Sequence, residues 1–346
     1  MSIDIKLYDY HLPEGMIARY PAEPRDSSKL LHLPLNGGVI EHTEFTKFPE
    51  YLERGDLLVL NDSRVFPARL FGNKKDTGGK VEIFLLEKDG EDKWEALVRP
   101  GRRLPPGTEV ELFDNRLTAR LGERTASGGR MVQFYSNGDL MPLIWKYGEV
   151  PLPPYIDRKA EESDKTRYQT IYAENTGAVA APTAGFHFTE KIFSRLRDKG
   201  VETVKLTLHP GLGTFRPITQ PDAEKHKMHR EKYSISAVAA EIINRALGDK
   251  RRLIAVGTTT VRALESSYVK YGEIKPCELE DTELFIKPPY DFKAIGGLLT
   301  NFHLPKSTLL LLVSALAGRE RVLEAYRQAI EREYRFYSYG DAMLIL

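Results

Sequence analysis

The chain has 346 residues, of which 41% are hydrophobic and 29% charged, and a formal net charge of +1; that is enough apolar material for the cores of about two domains. The balanced charge excludes a uniformly basic or acidic protein, although clustered arginines can still meet nucleic acid inside a neutral total. The single cysteine, Cys277, excludes an internal disulfide and any Cys-rich metal or iron–sulfur centre.

In chain order, the start MSIDIKLYDYHLP carries charges and a proline where a secretory signal needs an apolar core, so a cytoplasmic protein is expected. The run GDLLVLNDSRVFPARL, residues 55–70, reads as strand. From about Val81 to Tyr135 follow short strand-like runs (KVEIFLLE, KWEALVR, TEVELF, LTARL, RMVQFY) separated by the turn clusters KDGED, LPPGT, FDN and ASGG. Such even spacing predicts an antiparallel barrel or sandwich, with 55–70 supplying its first strands. PLPPYI, Pro151–Ile156, is a stiff crossing out of that region.

Beyond it the pattern alternates. A helix is predicted from the N-cap Thr189 to Gly200, then a strand in VETVKLTL and a helix over Ala237–Leu247. A strand in RLIAVG runs into a helix in TTTVRALESSYV, whose Val261, Leu264 and Tyr268 share a face. Strand–helix alternation predicts an α/β domain with a mixed or mainly parallel sheet. The longest apolar run, Leu309–Ala317, is far short of the ~20 residues of a membrane span and reads as a buried helix. The pattern alone allows either two consecutive domains or a barrel inserted into an α/β domain.

The standard nucleotide and hydrolase signatures are absent: there is no GxxxxGK[ST], GxSxG or HExxH, and GLGTFR puts Arg216 where a dinucleotide fingerprint needs glycine. His226 and His229 are spaced to face one metal, but no third ligand stands near, so no metal site is expected. Several segments still combine small and polar residues. AVAAPTAGFHFT offers His187 among residues small enough for close ligand approach; a tight turn around a buried, hydrogen-bonded histidine explains it equally well. TLHPGLGTFRPI places His209 at a strand end before a glycine-rich turn. AVGTTTVRALES starts a helix at a strand's carboxyl end, where Thr258 and Thr259 offer hydroxyls and free amides to an anion, with Arg262 and Glu265 one turn apart behind them. LLTNFHLPKSTL contributes Asn301, His303 and Ser307, and the tail YRFYSYGDAMLIL contributes three tyrosines, Ser338 and Asp341; the tail is either a docked strand or part of a site. Arg64, Arg69, Arg99, Arg102, Arg103, Lys74 and Lys75 form a basic set on the barrel-like region, suited to RNA phosphates or to plain solvation.

Taken together, the blocks YDYHLPEGMIARYPAEPRDSSKLL, GDLLVLNDSRVFPARL, GEVPLPPYI, RYQTIYAENTGAVAAPTAGFHFT, LHPGLGTFRPI, MHREKYSIS, AVGTTTVRALES, LLTNFHLPKSTLLLLVSALAG and YRFYSYGDAMLI resemble, in this order, the queuosine-pathway S-adenosylmethionine:tRNA ribosyltransferase-isomerase family. The resemblance runs from one end to the other. It implies an α/β domain (1–58 and 154–346) with a smaller inserted antiparallel β-barrel (59–153). It also implies transfer and isomerisation of the ribosyl unit of S-adenosylmethionine onto 7-aminomethyl-7-deazaguanine in tRNA, by a monomer without membrane contact. The donor is then consumed as a substrate, and no cofactor or metal is called for. Within the matching blocks His187, His303 and Asp341 are the expected acid–base groups. Thr258, Thr259, Arg262, Glu265, His209 and Asn301 are expected around the donor, Tyr168 and Gln169 at the nucleobase, and Arg64, Arg69, Arg102 and Arg103 on tRNA. The chain departs from the family at Pro289, Gly296 and Pro210, where glycine, aspartate and valine are usual. An RNA-binding module and an enzyme acting on a free small molecule are the competing classes.

Overall fold

The computed structural model describes residues 2–101, 103–126, 128–211, 218 and 220–346. In chain order the strands are β1 (Lys29–Leu33), β2 (Glu41–Glu44), β3 (Leu57–Asn61), β4 (Ser63–Val65), β5 (Arg69–Lys74), β6 (Lys80–Lys88), β7 (Lys93–Arg99), β8 (Glu109–Leu112) and β9 (Leu117–Arg124). They continue with β10 (Arg130–Ser136), β11 (Asn175–Ala178), β12 (Glu202–His209), β13 (Glu231–Ile235), β14 (Leu253–Val256), β15 (Cys277–Thr282), β16 (Gly297–Asn301) and β17 (Ala342–Ile345). The helices are α1 (Leu140–Tyr147), α2 (Asp164–Arg167), α3 (Glu190–Lys199), α4 (Ala237–Gly248), α5 (Thr258–Tyr271), α6 (Thr308–Ala317) and α7 (Arg319–Glu331).

Among the described residues one mixed sheet has the order β15-β13-β12-β3-β14-β16-β17-β1-β2. Its centre, β12, β3, β14 and β16, is parallel. Strands there are covered on both faces, which is why LLVLN and LIAV are continuous apolar runs rather than alternating ones. Leu57, Val59, Leu253 and Ala255 pack with α4, α5, α6 and α7. Their neighbours Leu58, Leu60, Ile254 and Val256 pack on Phe45, Phe48 and the α3 residues Ile192 and Leu196. The α3 boundaries follow from chemistry: Thr189 Oγ1 accepts from the Ile192 amide, and Gly200 takes the left-handed φ of 81° that ends the helix. The tail is a docked strand, β17 lying antiparallel to β16 and parallel to β1.

The smaller unit is a closed antiparallel barrel in the order β10-β7-β6-β5-β8-β9. Alternate residues such as Leu70, Ile83, Ala96, Val110, Leu121 and Val132 fill it. Its entrance and exit are tied together by paired backbone bonds between Arg69 and Glu149, of 3.2 and 2.9 Å. The segment 55–70 differs from the sequence expectation. Leu57–Asn61 belongs to the parallel centre of the large sheet, Ser63–Val65 pairs with β11, and only from Arg69 does the chain enter the barrel. The barrel is thus an insertion after β4, and every parallel strand of the sheet centre points its carboxyl end to the same edge.

Candidate active site

A pocket of ≈ 630 Å³ opens at that edge. The carboxyl ends of parallel strands are where α/β sheets bind ligands, because loops diverge there and helices begin. Thr183 and Ala184 from a 3-10 turn, Thr258 and Thr259 from the start of α5, and Asn301 and His303 after β16 form its walls. Tyr155 and Tyr337 close it. Among the described residues no Asp, Glu, Lys or Arg lines it.

Buried polar groups fix these walls. Asn61 Nδ2 donates to the Leu208 carbonyl (2.9 Å) and to Thr259 Oγ1 (3.1 Å), stitching the ends of β3 and β12 to α5. Because Thr259 Oγ1 accepts there, its own proton is left for a ligand. Among the described residues no side chain caps the α5 start, so its first amides form an anion-favouring dipole end at the pocket wall. The α6 start is different: Ser307 Oγ already accepts from the Leu310 amide.

His303 is held at its backbone on both sides, donating N–H to Tyr326 OH (2.9 Å) and accepting at its carbonyl from Tyr10 OH. Its Nε2 meets Thr300 Oγ1 at 2.9 Å, and among the described residues Nδ1 has no hydrogen-bond partner. His187 is placed otherwise. Its Nδ1 meets Ser28 Oγ at 2.7 Å and its Nε2 lies 3.3 Å from Asn301 Nδ2. Asn301 can only donate through that nitrogen, so Nε2 accepts and the proton sits on Nδ1. Asn301 in turn accepts from Thr183 Oγ1 at 3.1 Å. Both His187 nitrogens are thus occupied within the protein, and it stands behind Asn301 rather than among the residues lining the pocket.

Burial pushes both imidazoles from 6.5 down to about 3, with the charges of Arg335 and Arg25 adding to the effect at His187. Between those values the unfolded chain binds protons that the folded one does not. Stability is therefore full above about pH 6.5 and falls with pH by about 1.4 kcal/mol per unit for each histidine. His187→Asn is expected to flatten the stability profile between about pH 6 and 4 by that slope, measured as urea midpoints. An unchanged profile would contradict a buried neutral imidazole.

Four other expected site residues are committed elsewhere. Arg262 forms a buried ion pair with Glu231 and also donates to the Leu284 carbonyl at 3.2 Å, so it does not reach the pocket. Glu265 does not pair with it: its carboxylate accepts from the Lys293 and Ala294 amides (3.1 and 2.9 Å) and from Tyr290 OH (3.2 Å). That anchors the atypical 288–297 loop, and burial raises the Glu265 pKa. Asp341 is buried on Arg335 (3.0 Å) and the Lys29 amide (3.1 Å), and its carboxylate orients neither histidine. Gln169 uses one acceptor and one donor position of its amide on Val65, accepting from N–H at 3.0 Å and donating to the carbonyl at 2.6 Å, which fixes the amide against β4.

Tyr168 is fully buried behind the pocket, its hydroxyl against Ser338 and Ala181. His209 ends β12 half-buried beside Gly177, its Nδ1 without a partner among the described residues. On the barrel side Arg64 is exposed and stacks on Trp145 at 4.7 Å, Arg103 is exposed, and Arg69 is paired with Glu82 at 2.9 Å. Arg102 and the segment 212–217 lie outside the described residues.

Sequence reasoning missed Asn61, Tyr155 and Tyr337. The polar NDS directly after an apolar run was the available signal for Asn61. Tyr337 lines the pocket at φ 71°, in the left-handed region, where a non-glycine residue costs energy and tends to mark function. Its buried hydroxyl has no partner among the described residues.

Among the described residues no helix is long and apolar enough to cross a membrane, and no group of three metal-ligating side chains stands together. A family model described as queuosine biosynthesis protein matches residues 5–345. A curated protein of Heliobacterium modesticaldum named S-adenosylmethionine:tRNA ribosyltransferase-isomerase is 49% identical over 99% of this chain and 100% of its own length. One of the same name from Moorella thermoacetica is 50% identical over 99% of both chains. A crystal structure described as S-adenosylmethionine tRNA ribosyltransferase, from Thermotoga maritima, shares 38% identity, covers 98% of this chain and 100% of its own, and superposes with a TM-score of 0.57. With matches of this length and identity around a pocket at the sheet's carboxyl edge, the chain belongs to the queuosine biosynthesis family whose curated members are named S-adenosylmethionine:tRNA ribosyltransferase-isomerase.

Proposed function

We propose that this protein moves the ribosyl unit of S-adenosylmethionine onto 7-aminomethyl-7-deazaguanine at the wobble position of tRNA and isomerises it to the epoxycyclopentane of epoxyqueuosine, releasing adenine and methionine. The observation that carries the reading, beside the family, is a pocket without charged side chains among its described residues, one helix start and one neutral imidazole facing it. A sulfonium donor brings its own positive charge. Walls of low polarity leave that field unscreened at the neighbouring 5′ carbon, where it acidifies the C–H bond.

His303 is the base in this reading. In the tautomer this role requires, Nε2–H donates to Thr300 Oγ1 and Nδ1 keeps its lone pair for the proton. Removal of the 5′ proton gives a sulfur-stabilised carbanion, and adenine departs as the sugar opens, taking up a proton. Opening breaks the C4′–O4′ bond and leaves a C1′ aldehyde beside a C4′=C5′ vinyl sulfonium, and the deazaguanine amine adds at C4′ and loses a proton. The C5′ carbanion so regenerated attacks the aldehyde carbon to close the five-membered ring, and the alkoxide displaces methionine from C5′ as the epoxide forms. Thr258, Thr259 and the α5 amides receive the methionine carboxylate, and Tyr337 OH supplies a further hydrogen bond to the donor. No resident cofactor takes part, because the donor carries its own activation. Exposed Arg64, on β4 just before the barrel, and exposed Arg103 on the barrel contact tRNA phosphates. We place the reaction in the cytoplasm and assign it to a monomer.

Donor labelled in the ribose is expected to label tRNA, with one adenine and one methionine released per transfer. Methyl label is expected to leave with methionine. Equal labelling of the free base, or binding of donor and RNA without adenine release, would overturn the reading in favour of a small-molecule enzyme or a binding module.

A further inference from the structure

Beside the large pocket, and sharing Ser338 with it, lies a second hollow of ≈ 220 Å³ whose wall includes Ala22, Arg25, Arg167, His187 and Tyr339. Among the described residues one of its two guanidiniums has no carboxylate partner and the other has one. Arg25 is half-buried and donates only to backbone carbonyls, of Phe186 at 3.3 Å and Thr166 at 3.1 Å. Among the described residues no carboxylate lies within ion-pair distance of it. Arg167 pairs with Glu23, whose side chain is 78% exposed, and donates to the Ala22 carbonyl at 2.5 Å; among the described residues its buried Nε has no acceptor. Other carboxylates near the hollow are committed: Asp341 to Arg335, Asp26 to Thr189, and Asp164 to Arg158 and the Tyr339 hydroxyl. His187 is neutral and offers no counter-charge.

A cation removed from water without a partner is costly, and folds rarely keep one unless something else meets it. The hollow is small, planar donors face it, and exposed Glu23 and Pro24 place it at the surface. These are the requirements of a tetrahedral oxyanion presented from outside. Arginine forks suit such groups. The donor's carboxylate has its own place at the α5 start, across the large pocket.

We propose that the Arg25–Arg167 hollow binds a backbone phosphate of the acceptor RNA, adjoining the nucleotide whose base enters the large pocket. The inference rests on tRNA being the acceptor. Shared Ser338 makes the two cavities neighbours, so one nucleotide can place its base in the first and its phosphodiester in the second. Arg25 and Arg167 then act before chemistry, by fixing where the reacting amine stands relative to the donor.

The test uses the full chain and an anticodon stem-loop RNA carrying the deazaguanine amine. Arg25→Gln is expected to weaken RNA binding roughly tenfold and to reduce the slope of log affinity against log salt by about 0.7–0.9 unit. Affinity for S-adenosylmethionine, measured on the same preparation, stays unchanged and reports that the variant is folded. Arg25→Lys restores most of the salt slope, and Arg167→Gln repeats the loss. One neutral methylphosphonate linkage beside the modified nucleotide reproduces the loss in the wild type and adds nothing in Arg25→Gln. Unchanged slopes in both Gln variants, with the stem-loop still bound and modified by the wild type, overturn this inference alone. So does a variant that loses donor affinity instead, since the hollow would then hold the methionine carboxylate. A wild-type protein that neither binds nor modifies the stem-loop overturns the tRNA reading together with it.

Discussion

His303→Ala is expected to lower kcat by about 10²–10⁴-fold, while the Kd for S-adenosylmethionine changes by no more than a few-fold. The asymmetry follows from position. His303 lines the pocket with Nδ1 free, so its loss removes a proton acceptor and little of the contact that holds the donor. His187, the first candidate from sequence, has both nitrogens used by Ser28 and Asn301. Its removal loosens Asn301 and costs stability, with a smaller effect on kcat, of about tenfold. Exchange isolates the step. Wild-type enzyme with donor in deuterated water is expected to exchange the 5′ hydrogen before RNA is added, His187→Ala to retain some exchange, and His303→Ala to retain none. The pH profile carries a sign as well. An imidazole held at about 3 is already in its base form throughout the neutral range, so kcat/KM is expected to show no acid limb near 6.5. Greater loss of turnover and exchange in His187→Ala, at equal folding, would return the base to His187.

The architecture was legible where one segment carries its own pattern. Thr189 and Gly200 bracket α3, and Val261 and Leu264 give α5 its buried face. The short alternating runs gave the barrel. The exception, Leu57–Asn61, shows where such reading stops. A run with no alternation belongs to a strand covered on both faces, but the sequence does not say which sheet covers it. The site followed the same division. Blocks rich in small and hydroxyl residues do converge: the 181–184 turn, the 257–259 helix start and the 300–304 segment share one pocket. Individual side chains within them were not predictable, because their fate depends on what arrives from elsewhere. Arg262 is met by Glu231 from β13, Asp341 by Arg335, and Gln169 by the backbone of β4. None of these partners is near in sequence except Arg335. Tyr337 was one of three tyrosines in a conspicuously polar tail, but its left-handed backbone, which turns it onto the pocket wall, is not advertised by its residue type.

The buried ion pair of Arg262 with Glu231 gives the second large effect. Arg262→Met is expected to destabilise the fold by about 3–5 kcal/mol, because it takes the guanidinium away from a carboxylate that stays buried. Both side chains are at most 4% exposed, and Arg262 also donates to the carbonyls of Leu284 and Thr282. The same pair holds the edge of the pocket. Glu231 Oε1 accepts from the Gly211 amide at 3.2 Å, immediately after Pro210, which lines the pocket wall. The double variant Glu231→Gln, Arg262→Met removes the buried charge with its partner, and chemical denaturation is expected to show it recovering much of the loss. Such a coupling identifies a pair acting on each other rather than on a ligand. The alternative, in which Arg262 holds the methionine carboxylate, predicts the reverse signature. The single variant would keep its stability and raise KM, and a donor analogue without the carboxylate would bind wild type and variant alike. A stable Arg262→Met protein with a raised KM, not repaired by Glu231→Gln, would put Arg262 back in the donor site and mean that the buried pair opens when the donor binds.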